Sequence, residues 1–118
     1  MNLMFPKPGS TRKHKKRKHP PSIMHRKDGT CYLCMMQGNH RTYPVVHEHH
    51  VYDGPNRRIS EENGFKCWLC LDHHLIGPEA VHNNIDNMRI LQRECQRIYE
   101  KTHTRQQFMN LIGRNYIE

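Results

Sequence analysis

Apolar and polar positions alternate over two short stretches in the middle of the chain and recur every three or four residues towards its end. The first stretch runs from Tyr43 to Tyr52, where Val45, Val46, Val51 and Tyr52 surround His47, His49 and His50, and it predicts a strand. Asp53-Gly54-Pro55-Asn56 is a strong turn signal, and Ser60-Glu61-Glu62-Asn63-Gly64 predicts a short turn of helix or a loop. Phe65 to Cys70 then predicts a second strand. Alternation puts Phe65, Cys67 and Leu69 on one face, and Trp68 and Cys70 on the other.

Helical signals follow. Asp72 can cap a short helix carrying His73 and His74, which Gly77-Pro78 would end. From Pro78 onward Val81, Ile85, Met88, Leu91, Cys95, Ile98 and Tyr99 form an apolar stripe, which predicts a longer helix packed on a core. Pro78 and Glu79 suit the first turn of that helix. Thr104 with Gln107 resembles a capping box for a last short helix through Ile112, ended by Gly113. These signals predict an α+β fold in one domain, residues 28–118, with helices at its C-terminal end.

Residues 1–27 read differently. Pro6, Pro8, Gly9, Pro20 and Pro21 interrupt any regular element, and Arg12, Lys13, Lys15, Lys16, Arg17 and Lys18 form an almost unbroken cationic block. The whole chain of 118 residues carries a formal charge of +8. Nine Lys and Arg precede the first acidic residue, Asp28, while residues 28–118 hold ten basic against eleven acidic side chains, a net of −1. The basicity therefore belongs to an arm expected to be mostly disordered, and a cationic arm on a near-neutral domain suits a polyanion.

Composition narrows the chemistry further. Only 35% of the residues are hydrophobic, and so small a core usually needs a staple such as a disulfide, a metal or a partner. No apolar run approaches the roughly 18 to 20 residues that span a bilayer, and no signal peptide is expected. The five cysteines are then expected to stay reduced, and with eleven histidines they point to metal. Cys31 and Cys34 supply half of a four-ligand zinc set. Cys67 with Cys70, or Cys70 with His73, could supply the rest, and strand alternation favours Cys70 with His73. Cys95 lies on the helical stripe and reads as a buried small hydrophobe. Adjacent strand residues face opposite ways, so His49 and His50 cannot play the same part. One can bind a metal while the other acts on water.

In order along the chain, Cys31-x-x-Cys34, Glu48-His49-His50-Val51 and Leu69-Cys70-x-x-His73-His74 resemble the HNH endonuclease family, also called ββα-metal or His-Me finger nucleases. The stretches 47–52, 56–60 and 79–84, the basic arm and the ending Gly113-Arg114-Asn115-Tyr116 resemble small HNH proteins of bacteriophages and prophages. The resemblance covers almost the whole chain, with its specific motifs over residues 31–84. It implies a zinc-stabilised ββα-metal core in which Cys31, Cys34, Cys70 and His73 hold structural Zn²⁺. It further implies that His49 and His74 hold a catalytic Mg²⁺ or Mn²⁺ and that His50 is the general base; His82 is a candidate third ligand, with packing or a phosphate contact as its alternative role. Phe65 stands where the family usually has its middle Asn.

These readings converge on a metal-dependent endonuclease that hydrolyses DNA phosphodiester bonds, with Arg57, Arg58 and the arm gripping phosphates. The expected setting is the cytoplasm of a bacterial host, with no membrane partner. Phage packaging or replication proteins are further expected partners, and a homodimer would let one small site cut both strands. The alternative is a non-catalytic, zinc-stabilised module that binds DNA or protein, such as a phage packaging or anti-defence factor. Deleting residues 1–19 should weaken DNA binding and flatten its salt dependence. If the arm makes roughly five phosphate contacts, the log–log slope should fall by about 4 to 5, and an unchanged slope would make the arm a passive tail.

Overall fold

The computed structural model describes residues 19–117. The arm residues Arg12, Lys13, Lys15, Lys16, Arg17 and Lys18 lie outside the described residues. The elements in chain order are α1 (Tyr32–Met36), β1 (His47–His50), α2 (Arg57–Asn63), β2 (Lys66–Leu69), α3 (Ile85–Tyr99) and α4 (Arg105–Ile112). A single 3-10 turn, Gly54–Asn56, leads into α2, and a wide helical turn, Asp72–Ile76, follows β2. This is a small α+β fold, as the periodicities predict.

β1 and β2 pair antiparallel with His47 opposite Leu69, Glu48 opposite Trp68, His49 opposite Cys67 and His50 opposite Lys66. Cross-strand partners share a face. One face therefore carries His47, His49, Cys67 and Leu69, and the other Glu48, His50, Lys66 and Trp68. Phe65, Cys67 and Leu69 are fully buried, as their alternation predicts. Val51, Tyr52, Leu91, Cys95 and Phe108 join them in the core. Tyr52, Phe65, Tyr99 and Phe108 meet at ring-centroid distances of 5.4–6.1 Å. Phe65 is thus a core residue, and the Tyr52 hydroxyl donates to the Gln92 carbonyl at 2.6 Å, fixing α3 against the sheet.

The helix expected from Pro78 begins instead at Ile85, capped by the Asn84 side chain, which accepts from the Asn87 amide at 3.0 Å. Residues 77–84 turn because side-chain amides satisfy backbone carbonyls that a helix would otherwise use. Asn83 donates to the Leu75 and Gly77 carbonyls, and Asn87 to that of Glu79. The turn buries Val81 and leaves Ile85 exposed. Asp72, read as a cap, is instead the first residue of the wide turn, which closes from the Gly77 amide to the Asp72 carbonyl at 3.1 Å. The capping box of Thr104 and Gln107 forms as its sequence suggests, and Gly113 ends α4 in the left-handed region. Among the described residues no helix is long and apolar enough to cross a membrane.

Residues 22–25, within the stretch read as arm, are tied to the domain. The Ser22 hydroxyl donates to the Lys66 carbonyl, the Ile23 amide donates to Gly64, and His25 Nδ1 accepts from the Trp68 amide at 3.1 Å. Gly64 makes this docking feasible. It holds φ +73° at the end of α2, and a Cβ there would run into the Pro21 carbonyl. Gly64→Ala should cost about 1–3 kcal/mol. A thermal melt should show this as a midpoint several degrees lower, and an unchanged midpoint would show that the close approach does not matter.

Candidate metal centres

Four donors converge where α1 meets the end of β2. Cys31 stands at the N-cap of α1 and Cys34 one turn on, so a short helix presents both thiols to one point. Cys70 follows β2, and His73 lies within the wide turn. His73 Nδ1 is 3.4 Å from Cys31 Sγ, 3.4 Å from Cys34 Sγ and 3.5 Å from Cys70 Sγ, and the Cys34 and Cys70 sulfurs are 3.9 Å apart. A tetrahedral Zn²⁺ with ordinary bond lengths has S···N edges of about 3.6 Å and S···S edges of about 3.8 Å. All four residues are buried and could hold one metal ion, and the fit is that of structural zinc.

The surroundings support those ligands. The Tyr43 hydroxyl lies 3.0 Å from Cys34 Sγ and can donate to a thiolate there, and Glu79 Oε1 lies 3.8 Å from His73 Nε2. Burial pushes the Cys31 thiol up to about 12, so zinc must displace its proton on binding. Cys67, the alternative ligand, is fully buried among apolar side chains outside this group, and burial raises its thiol as well. Cys95 is buried on α3 as its stripe position predicts.

A second group forms beside the first. His49, His74 and His82 each offer a nitrogen, and these atoms lie within 4.8 Å of one another. His49 is 3% exposed, and its Nε2 has no hydrogen-bond partner, the one buried side-chain nitrogen or oxygen so placed among the described residues. Burial first, and then the His74, His82 and His50 charges, lowers His49 to about 3. Burial, then His82 and His47, lowers His74 to about 4. Both rings are therefore neutral at pH 7, with lone pairs available to a cation. The turn over residues 77–84, rather than a continuous helix, brings His82 Nε2 to 3.3 Å from His74 Nε2. His47 Nδ1 meets His74 Nδ1 at 3.0 Å, a contact the sequence reading missed.

His50 faces the other way, as adjacent strand residues should. Its Nε2 lies 2.7 Å from Glu61 Oε1, and Glu61 Oε2 lies 3.1 Å from Lys66 Nζ. Glu61 and Lys66 also escaped the sequence reading, because α2 brings Glu61 in by a turn whose path no period encodes. A cavity of about 230 Å³ is lined by His49, His50, His74, His82, Asp53, Glu48 and Arg57. Glu48, His50 and Arg57 also line a neighbouring groove of about 710 Å³ that contains Arg58. Arg58 pairs with Glu62 at 3.1 Å, whereas Arg57 borders both spaces.

No protein-family model matches the chain, nor does any curated protein or solved structure. The donor sets themselves generate the test. Purified protein should carry about one tightly held zinc per chain. Cys31→Ser should lose that zinc together with cooperative melting. His49→Ala should keep both. A Cys31→Ser variant that melts normally would remove the structural zinc.

Proposed function

We propose that the chain is a metal-dependent DNA endonuclease of the HNH type, its β1–α2–β2 unit and wide turn forming a zinc-stabilised ββα-metal core. One observation carries this reading: the buried, unpartnered Nε2 of His49 lies among His74 and His82, one residue from a histidine bonded to a carboxylate. An orphaned buried nitrogen is costly unless something binds it, and a cation explains it.

His49, His74 and His82 would hold the divalent ion, which when bound supplies positive charge to stabilise the phosphate as it reacts. The donor set is all nitrogen. Mg²⁺ holds most strictly to oxygen ligands and its own waters, so Mn²⁺ is the better match of the two ions expected. His50 takes a proton from the attacking water. Arg57, at the border of cavity and groove, holds a backbone phosphate, and Arg58 with the basic arm extends that grip without reading bases. The products would carry 5′-phosphate and 3′-hydroxyl ends.

The second reading is a non-catalytic module that binds DNA or protein on the same scaffold. The burial of Phe65 favours it, since the nearest asparagines are engaged elsewhere: Asn56 donates to the Ile112 carbonyl and Asn63 to that of Ile59. A plasmid-nicking assay separates the two. The wild-type chain with Mn²⁺ should nick supercoiled DNA, and chelator should stop it. His50→Ala should lower the rate about 10²- to 10⁴-fold with zinc content unchanged. A wild-type chain that binds but never nicks would leave the binding module, and an equally active His50→Ala would sink the base assignment.

A further inference from the structure

The sheet face opposite the three-histidine group carries a chain of charged side chains that the chemistry above does not use. Glu61 Oε1 lies 2.7 Å from His50 Nε2, and its Oε2 lies 3.1 Å from Lys66 Nζ. Lys66 stands opposite His50 in the strand register, with its side chain 8% exposed, and its ammonium is also 3.3 Å from Glu48 Oε2. The donor atoms of Glu48, His50 and Glu61 lie close enough together to hold a cation. Lys66 already supplies positive charge between the two carboxylates, so the group is a fixed ion network rather than a further metal site.

The position of Glu61 is built in. The Ser60 hydroxyl donates to the Tyr52 carbonyl at 2.6 Å and accepts from the Tyr52 amide at 3.2 Å, which clamps α2 to the segment just after β1. Ser60 is fully buried, so its neighbour Glu61 is held against His50. The hydrogen bond from His50 first, and then Lys66, holds the Glu61 carboxyl below its ordinary value. An ionised carboxylate only accepts, so the hydrogen between the two residues belongs to His50 Nε2. A neutral imidazole has one N–H, which leaves the lone pair on Nδ1.

We infer that Glu61, braced by Lys66, is the positioning residue for the general base: it fixes neutral His50 in the Nε2–H tautomer, orients its ring and leaves Nδ1 as the atom that accepts the proton. The role in cleavage rests on the endonuclease reading, but the tautomer does not. In the reaction the proton passes from water to Nδ1, and the O–H electron pair stays on the oxygen that bonds phosphorus. The P–O3′ pair leaves with the 3′-oxygen, which takes a proton from solvent. The imidazolium then donates to Glu61 and is stabilised by its charge, as a buried carboxylate does for a catalytic histidine elsewhere.

The test uses the zinc-loaded full chain with two readouts. In plasmid nicking, Glu61→Gln should lower kcat by about 10²-fold, because its amide can donate to Nε2 and admit the wrong tautomer. KM and zinc content should stay unchanged, and Glu61→Asp should recover part of the rate. Long-range proton–nitrogen spectra of the wild-type imidazoles at about pH 8 should place the His50 N–H on Nε2. A Glu61→Gln variant with wild-type kcat, or a wild-type spectrum with the hydrogen on Nδ1, overturns the inference. If the wild type cuts no DNA the endonuclease reading falls, and the spectrum alone decides the tautomer.

Discussion

Three sulfurs and one imidazole nitrogen, gathered at distances of 3.4–3.9 Å, bring α1, the end of β2 and the wide turn to one point. α1 is five residues long, too short to be stable alone, and Cys31 at its N-cap and Cys34 within it could both hold the metal ion. The wide turn after β2 is equally short and contributes a third, His73, just beyond the fourth, Cys70. A metal ion there would tie both elements to the sheet in a chain with little apolar side chain to spare. Its location also decides where the next residue goes. Once Cys70 and His73 are fixed, His74 must leave the turn on another side, and that side faces His49 and His82.

The strand pair divides the labour that follows. Alternation in β1 sends His49 inward with His47, and sends His50 outward with Glu48. Burial and then the neighbouring histidine charges keep His49 and His74 neutral and ready to bind a cation. The outer face keeps a carboxylate and an ammonium beside His50, where a hydrogen-bond acceptor can orient the ring. Two adjacent residues of one type thus acquire different chemistry from a periodicity of two. On the proposed reading, one stabilises charge through a metal while the other moves a proton.

Much of this was legible in the sequence because it depends on local rules. Alternation identified Phe65, Cys67 and Leu69 as a buried face, and so separated Cys67 from Cys70 as a ligand. The capping box at Thr104 and the glycine after Ile112 set the limits of α4. What escaped depends on side chains competing with backbone. Asn83, Asn84 and Asn87 take up the hydrogen bonds that would have continued a helix from Pro78, and no apolar stripe records that competition. The tie between residues 22–25 and β2 rests on Ser22, His25 and Gly64, each an ordinary residue until the chain returns to meet it. Glu61 and Lys66 likewise gain meaning only through the path of α2.

The central claim is that one turn, Cys70 to His74, serves two different metal centres, one built on sulfur and one on nitrogen. Titrating the metal-free protein with Co²⁺ tests it most directly, because thiolate ligands give cobalt an intense near-ultraviolet charge-transfer band and imidazoles do not. Two binding steps are expected: the first with that band and tetrahedral visible bands, the second without thiolate charge transfer and absent in His74→Ala. A single step in the wild type, or a second step that His74→Ala leaves intact, would contradict it.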